Sequence, residues 1–309
     1  MYVNRSRFVT LEAGIGQYSV IDQYDGLAGV RREFHRARRN GGAAVDGAGW
    51  PQARIGAITI DVLAPGEVLG LIAGTLAGGG PPTVLASANL DHVHHFARTA
   101  EMLPTGVTGG IRWLTLLDGR PVVNAVGRRA GGARPPAVAG CELIGPVLDL
   151  AAARGARVGL VGGGDQTRAY WRDVLPRHRP GLVVAGVWPV RWADLDRPGG
   201  GAALAAAVAV AEPDILAVSL GKPRQELWLR DHMASTRAKV ALPVGSAADY
   251  VAGTATRPPA WATRIGAEWL VRLAREPRRL GRRYLAQGPA ALLQVRRDLQ
   301  MVTPDQPSR

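Results

Sequence analysis

The stretch Val158-Gly-Leu-Val-Gly-Gly-Gly-Asp165 places a short apolar run directly before three glycines and an acidic residue. The apolar run predicts a buried strand, and the glycines let the chain turn sharply into the helix that the following residues favour. Free amides at the start of such a helix can hold a phosphate group. The same glycines also suit a tight turn that binds nothing, so the stretch predicts a strand–turn–helix unit and leaves its ligand open.

Similar units recur on both sides of this stretch. Short apolar runs predict strands at residues 55–62, 83–88, 111–117, 157–161, 182–187, 215–220 and 240–244. Helix-period segments separate most of them, at residues 141–154, 166–175, 202–211 and 223–233. Apolar strands that alternate with helices indicate an α/β fold, a Rossmann-like parallel sheet with helices on both faces.

Changes in composition divide the chain into four parts. Residues 1–50 mix charges and glycines and are expected to form a flexible N-terminal extension, and residues 51–255 form the α/β domain. Residues 256–297 are rich in arginine and are expected to form a helical appendage, followed by a tail at 298–309. The appendage is too short for its own core, so it should pack on the domain, a partner subunit or a membrane. We expect the sheet domain to survive deletion of the residues from about Ala255.

Bulk composition limits the class of protein. With 47% hydrophobic and 20% charged residues, the chain is typical of a folded globular protein. The apolar run at 202–211 is shorter than the about 18 residues that a membrane-spanning helix needs, and no secretory signal is evident, so we expect a cytoplasmic protein. Cys141 is the only cysteine, which excludes an intrachain disulfide and a cysteine-based zinc site.

The net charge of +13 is concentrated near the C-terminus. Residues 257–297 contain ten arginines against only Glu268 and Glu276. Such a segment favours an anionic partner, which could be a phosphate, a nucleic acid or an acidic lipid. Arg272, Arg279 and Arg282 would lie on one stripe of a helix, where guanidinium groups could bind a diphosphate, although a solvated charged face has the same pattern.

Polar and glycine-rich turns follow most of the predicted strands. Ligands of parallel sheets bind at the carboxyl ends of the strands, so these turns should meet at one edge of the sheet. The turns contain Ser87 and Asn89, Asp118 and Gly119, the glycines Gly162, Gly163 and Gly164, the segment from Gly221 to Glu226, and the segment from Gly245 to Asp249.

Several of these residues allow two interpretations. Asp118 ends an apolar strand and could act as a general base or cap the next helix. Glu226 could face a ligand or stabilise a helix N-terminus. The strand at 182–187 ends without an acidic residue, which argues against a nicotinamide dinucleotide.

Two groups of residues imitate metal sites. In the segment from Asp91 to His95, only His92 and His95 would share a helix face, and no second cluster of ligands is evident. Asp194 and Asp196 imitate the D-x-D of metal-dependent glycosyltransferases but stand among turn residues. The sequence therefore does not predict a metal.

Six motifs in order resemble those of the WecG/TagA/CpsF glycosyltransferases. Gly221 to Glu226 reads Gly-Lys-Pro-Arg-Gln-Glu, similar to the family's G-x-P-[KR]-Q-E, and Asp118-Gly119 stands where the family has D-G. Ser87-Ala-Asn89 matches T-x-N with serine in place of threonine. Further likenesses lie at 244–253, 257–261 and 268–284, with Ser246 and Ala248 departing from the pattern, and the resemblance spans about residues 55–293.

The resemblance implies inverting transfer of an N-acetylmannosamine-like N-acetylhexosamine from UDP to a polyprenyl-diphosphate-linked sugar, without a metal or other cofactor. It implies Asp118 as the base, and it implies that Ser87 and Gln225 line the donor site. We assign Asp118, Ser87 and Asn89 to the catalytic group. We assign donor binding to Gln225, Gly221, Pro223, Glu226, Gly162, Gly163, Gly164 and Asp249. We assign the acceptor diphosphate to Arg257, Arg272, Arg279 and Arg282.

These assignments imply a peripheral protein on the inner face of the cell membrane that takes part in cell-envelope or exopolysaccharide synthesis. Nucleic acid is not an expected partner. An arginine-rich nucleic-acid-binding protein, a nicotinamide-dependent oxidoreductase and a catalytically inactive relative remain as alternatives. Whether the chain forms a homo-oligomer is left open.

Overall fold

The computed structural model describes residues 50–98, 103–132, 134–259, 261–262 and 267–302, so nearly all of the predicted N-terminal extension lies outside the described residues. One sheet dominates the fold. Its ten strands are β1 (Gln52–Ile55), β2 (Ile58–Asp61), β3 (Thr83–Ala88), β4 (Gly106–Thr108), β5 (Ile111–Leu117), β6 (Arg157–Gly162), β7 (Val183–Trp188), β8 (Ile215–Ser219), β9 (Val240–Pro243) and β10 (Leu299–Val302).

Seven strands of this sheet are parallel. The order across the sheet is β10-β1-β2-β5-β3-β9-β8-β6-β7, and every pair from β2 to β7 is parallel. The antiparallel pairs are β10 with β1, β1 with β2, and β4 with β5. The predicted α/β fold with a mostly parallel sheet is therefore confirmed.

Helices follow most of the strands. They are α1 (Pro65–Leu76), α2 (Leu90–Phe96), α3 (Arg120–Arg129), α4 (Gly140–Arg154), α5 (Asp165–Ala169), α6 (Leu175–His178), α7 (Trp192–Leu195), α8 (Gly200–Val210), α9 (Arg224–Thr236), α10 (Ala247–Ala252), α11 (Glu268–Arg275), α12 (Pro277–Gly281) and α13 (Gly288–Asp298). Two π-helical segments, Tyr170–Val174 and Arg282–Gln287, join α5 to α6 and α12 to α13.

Both faces of the sheet are covered, as the apolar strands require. On β8, Ile215 and Ala217 belong to the core that contains α1, α4 and α10. Leu216 and Val218 belong to the opposite core, with α8 and α9. Successive side chains of a strand point to opposite faces, so a strand buried on both sides is apolar throughout.

The C-terminal segment is built into the domain. Residues 299–302, expected to lie in a tail, form β10 and pair with β1 at the sheet edge. Helix α13 buries Ala291 and Val295 in the core formed with α2 and α3. Deletion from about Ala255 would expose this core and the edge of β1, so the structure leads us to expect that such a truncation destabilises the sheet domain.

The predicted strand at 55–62 is also wrong, because the chain turns back within it. Gly56 has φ +56 and separates β1 from β2, and a Cβ there would lie 2.2 Å from the carbonyl oxygen of Ala97. Only glycine fits this turn.

Among the described residues, no helix has both the length and the apolar character of a membrane span.

Candidate functional site

The polar turns meet at one edge of the sheet. Strands β5, β3, β9, β8 and β6 are consecutive neighbours and parallel, so their carboxyl ends lie side by side. Asp118, Ser87, Gly245, Gly221 and Gly162 stand at these ends in that order. The topology therefore brings the sequence-predicted turns together.

Asp118 is held by its neighbours rather than by the helix that follows it. Its Oδ1 accepts from the Gly119 N–H at 2.6 Å, and its Oδ2 accepts from Asn89 Nδ2 at 3.4 Å. Gly119 is the N-cap residue of α3, and no side chain caps that helix. The helix-capping interpretation of Asp118 is therefore wrong, and the carboxylate faces the edge where the turns meet.

Asn89 fixes the start of α2 at the same time. Its Oδ1 accepts from the backbone N–H of His92 at 3.1 Å, so Asn89 is the N-cap of this helix. One side chain thus joins the end of β3, the first turn of α2 and Asp118.

Burial raises the pKa of the Asp118 carboxyl above its usual range. The Gly119 N–H, the charge of Lys222, and the side chains of Asn89 and Ser87 act in the opposite direction, because each stabilises the ionised form. A carboxylate whose pKa is raised toward the working pH is suited to accept a proton.

Lys222, from the Gly-Lys-Pro-Arg-Gln-Glu turn, is at the centre of the site. Its side chain is only 9% exposed. The ammonium group contacts the carbonyl oxygen of Ser87 at 2.9 Å, Nδ1 of His92 at 3.1 Å and Oε1 of Glu226 at 2.9 Å. This turn is therefore tied to β3 and α2 by a buried cation.

Gln225 and Glu226 lie in the first turn of α9 and are buried, at 2% and 0% exposure. Gln225 Oε1 accepts from the Gly221 N–H at 3.1 Å, and its Nε2 donates to Glu226 Oε1 at 3.1 Å. Within the described residues, Glu226 Oε2 has no hydrogen-bond partner. Pro223 precedes this helix as its N-cap residue.

The glycine turn after β6 packs tightly on β8. Gly162 has φ +84, and a Cβ there would lie 2.4 Å from the carbonyl oxygen of Ser219. Gly163 has φ +76 and donates its N–H to the same oxygen at 3.3 Å. Gly164 is the N-cap of α5, with open space where a Cβ would stand. The close contact with Ser219 therefore requires glycine at position 162, whether or not the turn binds a ligand.

Asp249 lies on α10 and contacts a neighbouring helix. Its Oδ1 accepts from the Thr167 hydroxyl at 2.6 Å, and that hydroxyl also lies 2.9 Å from Thr254 Oγ1. Thr167 is buried on α5. In this structure the Asp249 carboxylate thus joins α5 to α10.

The four arginines assigned to the acceptor differ in position. Arg272 on α11 donates to Ser246 Oγ at 3.4 Å, next to the turn after β9. Arg257 donates to the carbonyl of Cys141 at the start of α4 and lies over the Tyr250 ring, 5.7 Å from its centroid. Arg282 is exposed, and the Arg279 side chain lies outside the described part of the structure. Of the four, Arg272 therefore contacts a turn of the site, and Arg257 contacts α4 and α10.

The carboxylates of the two groups that imitate metal sites are paired with other side chains. His95 Nε2 lies 3.7 Å from Asp91 Oδ1, and Arg283 pairs with Asp91 Oδ2 at 3.1 Å. Asp194 pairs with Arg197, and Asp196 with Arg224. Over the described ranges, no three His, Cys, Asp or Glu residues are grouped so that they could hold a metal ion.

The chain matches the model of the glycosyl transferase WecG/TagA/CpsF family over residues 53–303. It belongs to this family. The matched region contains the whole sheet except for the first residue of β1, and it includes the C-terminal segment with α11 to α13. The WecG/TagA/CpsF resemblance carried by the six motifs is therefore confirmed.

A curated protein is similar to this chain over part of its length. It is the N-acetylglucosaminyldiphosphoundecaprenol N-acetyl-beta-D-mannosaminyltransferase of Bacillus spizizenii, 26% identical over 178 residues. The aligned region covers 58% of this chain and 62% of the relative.

Lys222 and His92 are the residues that sequence reasoning missed. Lys222 lies inside the signature but at its variable position, and His92 was considered only as a metal ligand. Lys222 is one of only two lysines in an arginine-rich chain, and that was the one signal available in the sequence.

Proposed function

We propose that this chain is an inverting glycosyltransferase that moves an N-acetylmannosamine-like N-acetylhexosamine from UDP to a polyprenyl-diphosphate-linked sugar, without a metal ion. The position of Asp118 carries this proposal. Its carboxylate stands at the carboxyl edge of a parallel sheet, beside Asn89 and Ser87, with a raised pKa and no role as a helix cap. Family membership and the name of the relative support the reaction class and the lipid-linked acceptor.

In the proposed reaction, a hydroxyl oxygen of the acceptor forms a bond to the anomeric carbon of the donor. The bond from that carbon to the oxygen of the UDP β-phosphate breaks, and UDP leaves with the electron pair. The proton of the hydroxyl passes to Asp118, which must be ionised to receive it. Attack opposite the leaving group inverts the anomeric centre.

We assign the donor to the β3, β6 and β8 side of Asp118. Ser87 and Gln225 supply polar side chains there, and the turn from Gly162 to Gly164 lets a diphosphate approach the backbone. Gly221 and Pro223 shape the neighbouring turn, with Glu226 buried behind it. Asp249 would contribute by holding α5, which follows the glycine turn, through Thr167.

We assign the acceptor to the side of the C-terminal segment. Arg272 contacts Ser246 in the turn after β9, and Arg257 contacts the start of α4. Guanidinium groups bind diphosphate oxygens bidentately. Arg279 and Arg282 follow on the same segment. A lipid-linked acceptor would be presented at the inner face of the cell membrane, where the protein would bind peripherally.

Transfer assays with a panel of UDP-sugars and a short-chain lipid-diphosphate acceptor test the proposal. We expect turnover with a UDP-N-acetylhexosamine and no change on addition of EDTA. The control variant for Asp118→Asn is Asp173→Asn, which alters an exposed carboxylate paired with Arg172. A strict requirement for Mn²⁺ would contradict the metal-free mechanism, and UDP release without any sugar transfer would contradict the reaction class.

A further inference from the structure

We propose that Lys222 is a positioning residue of this site, whose ammonium group locks the end of β3 to the first turn of α9 and whose positive charge acts on the Asp118 carboxylate. This role rests on the proposed function, because it concerns the same site. The lysine occupies the variable position of the signature.

The contacts of Lys222 use its full capacity for hydrogen bonds. An ammonium group carries three hydrogens, and three acceptors surround it: Ser87 O at 2.9 Å, His92 Nδ1 at 3.1 Å and Glu226 Oε1 at 2.9 Å. Bonds to a charged donor are roughly twice as strong as neutral ones. Turning the side chain toward solvent would break all three, so the charge is fixed in place.

These contacts connect the ends of two strands that are not neighbours in the sheet. Ser87 lies on β3 and Lys222 follows β8, and β9 separates these two strands. Oε1 of Glu226 also accepts from Gln225 Nε2, so the carboxylate oxygen that contacts Lys222 also holds the Gln225 amide. Lys222 therefore sets the distance between the Ser87 and Gln225 sides of the proposed donor site. An error of about 1 Å in such a distance can reduce turnover by about a hundredfold.

Charged neighbours define the electrostatic effect of Lys222. It lowers the pKa of Asp118 against the dominant effect of burial. Cys141 and Glu142 at the start of α4 are also within electrostatic range of Asp118. Around Lys222 itself stand Glu226 on α9 and His92 and His95 on α2.

His92 is neutral in this arrangement. Burial, followed by the charge of Lys222, holds the pKa of the His92 imidazole well below its usual range. A neutral ring whose Nδ1 accepts a hydrogen bond carries its proton on Nε2. Lys222 is then the cation of the group and Glu226 its counter-charge. By keeping Asp118 ionised, this cation would extend the activity of the base to lower pH.

The pH dependence of kcat in four variants tests this role. Lys222→Met removes the charge and keeps a long side chain, whereas Lys222→Arg keeps the charge. Lys222→Met/Glu226→Gln removes both charges and leaves no uncompensated buried carboxylate, so it remains informative if the single variant does not fold. Lys239→Met, the control, alters a lysine paired with Asp214 at the start of β8.

We expect the acid limb of kcat to lie at a higher pH in Lys222→Met and in Lys222→Met/Glu226→Gln than in the wild type, with plateau kcat lowered by about tenfold or more. Lys222→Arg and Lys239→Met should keep the wild-type acid limb. An acid limb that stays in place in the double variant would overturn the action on Asp118, since a purely structural role would lower kcat without moving the limb.

A second readout does not require turnover. Titration of His92 by NMR should show a higher pKa in Lys222→Met than in the wild type, because the ring loses its cationic neighbour. An unchanged His92 pKa would overturn the contact itself. Absence of transfer by the wild type would instead contradict the proposed function and leave the His92 titration to decide on the contact.

Discussion

Asn89 donates from Nδ2 to Oδ2 of Asp118 across 3.4 Å, while its Oδ1 caps helix α2. The proposed base is therefore held by a residue whose own position is set by a helix start. Because Gly119 N–H holds the other carboxylate oxygen, the two oxygens are fixed in one orientation at the edge of the sheet.

The substitution Asp118→Asn should separate chemistry from structure. Asparagine has the shape of aspartate and can still accept from the Gly119 N–H, but it cannot take up the acceptor proton. We expect kcat to fall by at least about a hundredfold, with UDP affinity and melting temperature nearly unchanged. Near wild-type turnover in this variant would show that the base lies elsewhere.

The pH profile should carry the signature of a buried carboxyl. Since burial raises the pKa of Asp118, the ionised form is lost at a higher pH than for an exposed aspartate, and kcat should fall with it as the pH decreases. For stability the sign is opposite: protonated Asp118 favours the folded state, and this contribution is lost as the pH rises through the raised pKa. Stopped assays in constant-ionic-strength buffers measure the first effect and urea unfolding the second. An acid limb where exposed carboxylates titrate would contradict the assignment.

The parallel core of the fold could be predicted because its signal is local. Strands β3 and β5 begin and end where the apolar runs do, with residues 83–88 and 111–117. The hairpin of β1 and β2 was missed because it turns on the positive φ of a single glycine, Gly56. Strand β10 was missed because its four residues are stabilised by β1, about 250 positions earlier in the chain.

The sequence predicts which residues lie at the site, but it does not predict the contacts between their side chains. Ser87 lies near the end of its strand, Asp118 and Gln225 follow theirs, and parallel strands place their ends together. The contact between Lys222 and Ser87 joins positions 135 residues apart, and no periodicity encodes it. For Asp249, its place in a motif suggested a ligand, but its bond to Thr167 depends on how α5 and α10 pack.

The glycine turn allows a matched pair of substitutions. Gly162→Ala would place a Cβ 2.4 Å from Ser219 O on a backbone with positive φ, whereas Gly164→Ala meets open space. We expect Gly162→Ala to lower the free energy of unfolding by about 2 kcal/mol or more, and Gly164→Ala by less than about 1 kcal/mol. Urea denaturation measures both. Equal effects would mean that the turn can relax away from β8.

The C-terminal segment presents apolar side chains to solvent next to its arginines. Trp269, Leu270 and Leu285 are 41%, 48% and 66% exposed, and Arg282 is exposed between them in sequence. Exposed apolar side chains beside cationic ones are typical of segments that lie at a lipid headgroup layer. Such binding would bring the site to a lipid-linked acceptor.

Leu285→Ser should therefore weaken binding to vesicles that contain phosphatidylglycerol, and Arg282→Ala should weaken it most at low salt, because screening already reduces its contribution at high salt. The matched control is Val210→Ser on α8, which alters a side chain 86% exposed outside the C-terminal segment. Co-sedimentation with vesicles measures binding, and UDP affinity should not change in any of the three variants. Equal losses from Leu285→Ser and Val210→Ser would indicate nonspecific adsorption, and the acceptor would then have to reach Arg272 without a membrane-bound segment.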